Sequence, residues 1–288
     1  MGIISTARSI TPEEMTPAIK QIENWGFKPV TGKHLFSKYH QFAGTDEQRL
    51  EDIQSFLDDE SISAVLCARG GYGTVRIIDQ VDFKNFLINP KWVGGYSDVT
   101  VSLNRINHLG VEALHCSMPV NFGNNTSSAL ESLRKALSGE RLTYQFKAHD
   151  FNKEGEAQGV VTGGNLSMLY SQTGSPTALD TKNKILFLED LDEYLYHIDR
   201  MMQNLSRNDY LKEASAVLIG GMTDMNDNTV PFGFTAEEII RDHLQDQPYP
   251  RAFGFQAGHL DNNNCLIFGR EAKLKVGAGC ELIFDEAS

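Results

Sequence analysis

The sequence predicts an α/β protein, with a parallel-sheet α/β domain first and a second, mixed α+β domain after it. Three observations carry this. Short apolar runs alternate with helix-period patterns up to about residue 116, as the strands and crossover helices of a parallel sheet do. After about residue 160 that alternation becomes irregular. The last apolar stretch, "AKLKVGAGCELIF" (272–284), alternates with period two around a glycine turn, the pattern of a β-hairpin. A length of 288 residues suits about two domains, and 41% hydrophobic residues suffice for packed cores.

The elements follow in order. "GIIST" (2–6) is a short first strand. Thr11-Pro12-Glu13-Glu14 is a capping box with proline at the first helical position, and Met15, Ile19 and Ile22 repeat behind it at helical spacing. "FKPVTG" (27–32) returns as a strand. Thr45 and Gln48 form a second capping box ahead of Leu50, Ile53 and Leu57. "ISAVLCA" (62–68) is a buried strand ending in "RGGYG" (69–73), and a helix is expected from about Thr74. "WVGGYS" (92–97) is the next strand, with a helix from Val99 to about Leu109. "VEALHC" (111–116) closes the series and "SALESLRKALSG" (128–139) is the last helix of the domain. The first domain is thus expected over 1–148. The polar, glycine-containing stretch "HDFNKEGEAQG" (149–159) reads as a linker, and the second domain as 160–288. In that domain "KILFLED" (184–190) is an apolar strand ending in acids and "EYLYHIDRMMQNL" (193–205) is helical. "AVLIGG" (216–221) is a strand, "TAEEIIRDHL" (235–244) a capped helix, and "RAFGFQAGH" (251–259) a strand running into a loop.

Bulk properties narrow the function. A net charge of −12 argues against nucleic acid or an anionic membrane as the main partner. No apolar run approaches the roughly 20 residues that span a bilayer. The first residues, "MGIISTARSITPEE", show neither a basic region nor a long apolar core, so no signal peptide is expected. Cys67, Cys116, Cys265 and Cys280 form no CxxC pair and read as reduced thiols of a cytoplasmic protein.

The chemistry-bearing residues gather at strand ends, where parallel sheets bind ligands. Ser97 stands at a strand-to-helix corner after two glycines, in a partial match to the GxSxG nucleophile elbow: Gly95 precedes it by two, but Val99 follows by two. A plain helix N-cap at Ser97 or Asp98 accounts for the same pattern. The adjacent glycines of "ARGGYG" (68–73) allow close backbone approach, which suits an oxyanion hole. A phosphate cradle is the weaker reading, because Arg76 occupies the third glycine position of GxGxxG. A serine nucleophile needs a base. Of eight histidines, His108, His197 and His243 lie in helical patterns, while His115 ends a strand and His259 sits in a polar loop after an apolar strand. An orienting acid is available at Glu189, which ends "KILFLE". With Asp190, Asp192 and Glu193 it also forms an acidic cluster that could hold a divalent cation or charge the next helix's N-terminus. The order Ser97, Glu189, His259 is one a serine hydrolase can use, since geometry and not chain order defines a triad.

Taken together, "ARGGYG", "GGYSDVT", "TGGNLSML", "LFLEDLDEYLYHIDRMM" and "AGHLDNNN" resemble the LD-carboxypeptidase family of serine peptidases, which also contains microcin-C-resistance peptidases. The resemblance runs from about Gly44 to the C-terminus. It implies a nucleophile at Ser97, an acid at Glu189 and a base at His259. Its oxyanion-hole amides fall on the Gly70-Gly71 corner and on the N–H of Asp98. It further implies a C-terminal domain of the swivelling β/β/α type, a site between the domains, a homodimer, and no metal or organic cofactor. Cytoplasmic members release the terminal D-alanine of murein tetrapeptide. The chain departs from the family pattern at His115-Cys116-Ser117, at Gln256 and at Ile267-Phe268-Gly269, positions that concern pocket walls and hence substrate choice. The product of such a reaction carries a free carboxylate, for which Arg69 is the candidate cation; a structural salt bridge accounts for that arginine equally well. Competing expectations are a peptidase of aminoacyl-nucleotide conjugates, a non-catalytic binding protein on the same scaffold, and a metal-dependent hydrolase using Glu189, Asp190 and Glu193.

Overall fold

The computed structural model describes residues 1–286, which divide into two compact units. Unit 1 comprises Met1–Gly139 with Asp261–Ile267, and unit 2 comprises Glu140–Leu260 with Phe268 onward. The break falls at Gly139/Glu140 and not in the 149–159 stretch expected as a linker. Residues 155–159 are already part of an eleven-residue strand.

Unit 1 is built on β1 (Gly2–Ile4), β2 (Val30–Thr31), β3 (Ala64–Cys67), β4 (Trp92–Gly95) and β5 (Ala113–His115). These run parallel in the order β5-β4-β3-β1-β2. The chain reverses its direction of travel across the sheet between β1 and β3, the kind of switch point at which open parallel sheets bind ligands. The helices are α1 (Pro12–Asn24), α2 (Asp46–Asp58), α3 (Lys84–Ile88), α4 (Thr100–His108) and α5 (Ser127–Leu137). Both predicted capping boxes form: Thr11 and Glu14, and Thr45 and Gln48, bond reciprocally. The expected helix from Thr74 does not. Two single 3-10 turns, Thr74–Arg76 and Ile78–Gln80, precede the short α3, because the loop's amide groups are drawn to a side chain elsewhere. On α2 the buried face is Arg49, Asp52, Ile53, Phe56 and Leu57, so two charged residues are buried where periodicity alone had put Leu50.

Unit 2 holds β6 (Thr143–Lys147), β7 (Gly155–Asn165), β8 (Ile185–Leu191), β9 (Ala216–Thr223), β10 (Arg251–Ala252), β12 (Glu271–Val276) and β13 (Gly279–Phe284), with β11 (Leu266–Phe268) lying between β10 and β12 along the chain. That strand, β11, joins the unit 1 sheet beside β5. The unit 2 sheet runs β10-β9-β8-β7-β12-β13-β6. It is parallel from β10 to β7 and antiparallel from β7 to β6. The expected terminal hairpin is β12–β13, with Ala272 opposite Phe284. The helices are α6 (Leu166–Ser171), α7 (Leu195–Arg207), α8 (Tyr210–Glu213) and α9 (Ala236–Leu244). Ile198, Met201, Met202 and Leu205 form the buried stripe of α7, at the three-and-four spacing of an amphipathic helix. They join Leu186 and Leu188 of β8 and Ile239, Ile240 and Leu244 of α9 in one core. Among the described residues, no helix is long and apolar enough to cross a membrane.

Candidate active site

In unit 1, β3, β4 and β1 deliver three segments to one end of the sheet. Ser97 follows β4 by two residues and has φ +61°, a left-handed backbone that a non-glycine residue rarely adopts. Such strain is the mark of a nucleophile elbow and an argument for function when the surroundings impose it. Neither Ser97 nor Asp98 caps a helix: among the described residues the turn Ser97–Val99 and α4 have no side-chain cap. The N-cap reading of these residues is therefore set aside. The Asp98 carboxylate instead accepts hydrogen bonds from the backbone N–H groups of Gly73 (3.2 Å) and Thr74 (2.9 Å). It is 1% exposed, and burial raises its pKa against the lowering effect of those two donors.

Gly70 shows why the loop after β3 needs a glycine. A Cβ there would stand 3.3 Å from Ser97 Oγ and 3.2 Å from the Met118 methyl, so the backbone of the "RGGYG" loop lies directly beside the serine. Arg69 does not reach toward an open face. Its Nη1 donates to Glu14 Oε1 at 3.0 Å and to the Ser9 carbonyl at 3.4 Å. Arg8 is the cation that composition and motifs did not single out. Its stem packs over Gly71, its side chain is exposed, and its guanidinium has no hydrogen bond or ion pair among the described residues. His115 is fully buried at the end of β5, edge-on to the Tyr96 ring.

In unit 2, Glu189 and His259 meet. His259 Nδ1 lies 2.7 Å from Glu189 Oε2, and Glu189 is completely buried at the end of β8. Gly258 makes the approach feasible. Its φ is +102°, and a Cβ would fall 2.6 Å from the same Oε2. Burial on its own depresses the His259 pKa, but the charge of Glu189 and their hydrogen bond outweigh it, and the net shift is upward from 6.5. The His259 carbonyl accepts from Thr223 Oγ1 at 3.3 Å, which ties the loop to β9.

The acids around Glu189 go to separate partners. Asp190 accepts from Asn165 Nδ2 (2.8 Å), Ser167 N (2.9 Å) and its neighbour Leu191 N (2.8 Å). It is nearly fully buried, its pKa pushed up to about 7 by burial first and by Glu189 second. Residues Ile185 to Asp190 of β8 are all buried, as in a parallel strand covered on both faces, so consecutive acids can both lie inside, and the register shifts between Leu188 and Asp190. Glu193 pairs with His197 at 2.6 Å, one helical turn on. Among the described residues no group of three or more His, Cys, Asp or Glu side chains could hold a metal ion. Of the other helical histidines, His243 pairs with Asp199 at 2.9 Å and His108 bonds the Asn104 carbonyl at 2.8 Å. All four cysteines are buried free thiols, and burial drives the Cys67 pKa up to about 12.

Residues 1–116 match the model of the LD-carboxypeptidase N-terminal domain, and residues 158–274 match that of the C-terminal domain. A probable murein peptide carboxypeptidase of Bacillus subtilis strain 168 is 31% identical, over 96% of this chain and 88% of its own length. The chain belongs to the LD-carboxypeptidase family. It is accordingly a serine-type carboxypeptidase, a hydrolase. A second relative in the LD-carboxypeptidase family, the murein tetrapeptide carboxypeptidase of Pseudomonas aeruginosa, is 27% identical over 96% of this chain and 92% of that one. The fold is shared with a solved muramoyltetrapeptide carboxypeptidase from Oxalobacter formigenes. That structure has a TM-score of 0.91 and 23% identity, with 100% of this chain and 99% of that chain covered. It is shared also with the wild-type microcin C7 self immunity protein MccF, at a TM-score of 0.88 and 20% identity, with 99% and 95% covered. The mixed α/β architecture with two sheets, expected from the sequence, is the architecture of these proteins.

Proposed function

We propose that this LD-carboxypeptidase hydrolyses the amide bond to a C-terminal D-amino acid, releasing D-alanine from a murein tetrapeptide, with Ser97, His259 and Glu189 as its catalytic groups. The observation that carries this reading is the 2.7 Å contact between His259 Nδ1 and the buried Glu189 Oε2. With Nδ1–H held by the carboxylate, the tautomer is fixed and Nε2 is the basic nitrogen. Nε2 takes the Ser97 proton as Oγ bonds to the carbonyl carbon, and returns it to the leaving amine as the C–N bond breaks. Water then attacks the acyl-enzyme by the same route and restores Ser97. The backbone N–H groups at Gly70-Gly71 and Asp98 are assigned to the negative oxygen of the tetrahedral intermediates. Losing one such donor costs roughly 3 kcal/mol of transition-state stabilisation.

The substrate's free carboxylate needs a cation, and two arginines compete for the role. Arg69 is engaged with Glu14, whereas Arg8 is exposed without an ion pair. Both stand beside the Gly70-Gly71 corner, and Arg8 holds the better claim because binding there breaks no existing pair.

The test is D-alanine release from a murein tetrapeptide by wild type, Ser97→Ala, Arg8→Ala and Arg69→Ala. Ser97→Ala is expected to abolish turnover, and Arg8→Ala to raise KM about tenfold, the loss of roughly 1.4 kcal/mol of charge-assisted binding. Equal cleavage by wild type and Ser97→Ala would overturn the nucleophile assignment. An aminoacyl sulfamoyl nucleoside is included in the substrate panel. Turnover of that compound alone would favour an aminoacyl-nucleotide peptidase over a murein one.

A further inference from the structure

Asp98 lies next to the nucleophile in sequence, yet its carboxylate serves a different segment. It reaches back 24 and 25 residues to the N–H groups of Thr74 and Gly73, which end the loop that begins at Gly70. We propose that the Asp98 side chain is a positioning residue that fixes the Gly70–Thr74 loop against the Ser97 turn, setting the distance between nucleophile and oxyanion donors. The inference rests on the assignment of Ser97 and the Gly70-Gly71 corner given above and adds the group that holds them in register.

Four features support it. The carboxyl group is 1% exposed, and a polar group buried that deeply is stable where fixed donors replace water. Its two donors come from one short loop, so its position constrains that loop directly. The left-handed Ser97 gives the turn a conformation unusual for a residue with a side chain, and Asp98 is the next residue along it. Finally, the clamp is braced from behind. The Thr74 and Thr6 hydroxyls are 2.8 Å apart, and Arg49 Nη1 donates to the Thr6 carbonyl at 2.5 Å. The Arg8 N–H donates to the Gly70 carbonyl at 3.3 Å. Thr6, Thr74 and Arg49 are each at most 1% exposed. The strand-end segments after β1, β3 and β4 thus share one buried polar network, and Asp98 is the member that links the turn carrying Ser97 to the loop after β3. A helix cap or a surface ion pair needs none of this.

The test compares Asp98→Asn with Ser97→Ala in the full chain. The amide keeps the shape but turns an NH2 toward one of the two N–H groups, so one bond of the clamp is lost. Asp98→Asn is expected to lower kcat, per active site titrated with a fluorophosphonate, by 100-fold or more, with KM changed less than threefold. Phosphonylation of Ser97 by that reagent, with loss of fluoride, should slow in parallel. A role confined to folding would reduce the titratable fraction and the melting temperature but leave kcat per site intact, and that result would overturn the proposal. Should Asp98→Asn fail to fold, Thr74→Val removes the brace behind the clamp while keeping the fold's volume. An approximately tenfold loss of kcat at constant KM supports the proposal, and an unchanged kcat overturns it. The Ser97→Ala arm separates the two layers. Full turnover in that variant removes the nucleophile assignment and the proposal with it, whereas an inactive Ser97→Ala beside a fully active Asp98→Asn removes the proposal alone.

Discussion

At the scale of single residues, the decisive feature is how burial and one partner set the behaviour of an ionisable group. Desolvation favours neutral His259, but Glu189 at 2.7 Å favours the imidazolium more, so its pKa rises above 6.5. In the proposed role of general base, His259 must be neutral to act. The acid limb of kcat/KM is therefore expected above pH 6.5, with activity lost as pH falls through it. Replacing Glu189 by Gln removes the largest influence that raises the pKa and leaves burial opposed by the charge of Asp190. The limb should move to lower pH, while kcat at the plateau drops by about 10³-fold because the tautomer is no longer enforced. A pH–rate profile of the two proteins checks both effects. An acid limb that stays in place in Glu189→Gln would mean that another group controls it. Gly258 belongs to the same scale: its left-handed φ and the proximity of Oε2 leave no place for a side chain.

At the scale of elements, the distinction is between turns that hold the fold and turns that hold the site. The α9 capping box, in which Thr235 Oγ1 accepts from Glu238 N and Glu238 Oε2 accepts from Thr235 N, serves the fold. Thr235→Ala should cost about 1 kcal/mol in a urea titration and leave kcat unchanged. The corner after β3 serves the proposed site. In Gly70→Ala the new methyl would sit 3.3 Å from Ser97 Oγ, closer than ordinary contact, so the hydroxyl must shift by a few tenths of an ångström. A loss of about tenfold in kcat is expected from that displacement, since misplacement by about 1 Å can cost 10²-fold. The melting temperature should change little. Measured together, the two variants should dissociate stability from rate in opposite directions.

At the scale of the whole molecule, the chain's return to unit 1 matters most. Residues Asp261–Ile267 come back after 121 residues of unit 2, Glu140–Leu260. They are held there by bonds from Thr126 N to the Asp261 carbonyl (2.9 Å), from Thr126 Oγ1 to Asn262 Oδ1 (2.7 Å) and from Cys265 N to Ser132 Oγ (2.8 Å). They also bring β11 to the side of β5. A fragment ending at Gly139 loses that strand and exposes the edge of a buried sheet, a ready site for aggregation. Expressed alone, residues 1–139 should fail to give a monodisperse folded species by gel filtration and circular dichroism. Addition of a peptide covering 261–268 is expected to improve solubility if strand pairing is the missing element. A soluble, cooperatively melting 1–139 would show that β11 is dispensable.

The sequence by itself determined the elements whose signals are local. The capping boxes at Thr11, Thr45 and Thr235, the alternating strands and helices of the first unit, and the terminal hairpin each follow from hydrogen bonds or periodicities within a few residues. The family was legible as a resemblance carried by five motifs in order, while each corner or acid taken singly also suits a helix cap, a phosphate cradle or a cation site. Tertiary structure alone decided what depends on partners distant along the chain. It placed His259 against Glu189 across 70 residues, gave the Asp98 carboxylate to Gly73 and Thr74, buried Arg49 and returned β11 to the first sheet. A side chain's local pattern states what it can bond, whereas which group it does bond is fixed by the desolvation of both partners when the sheets close over them.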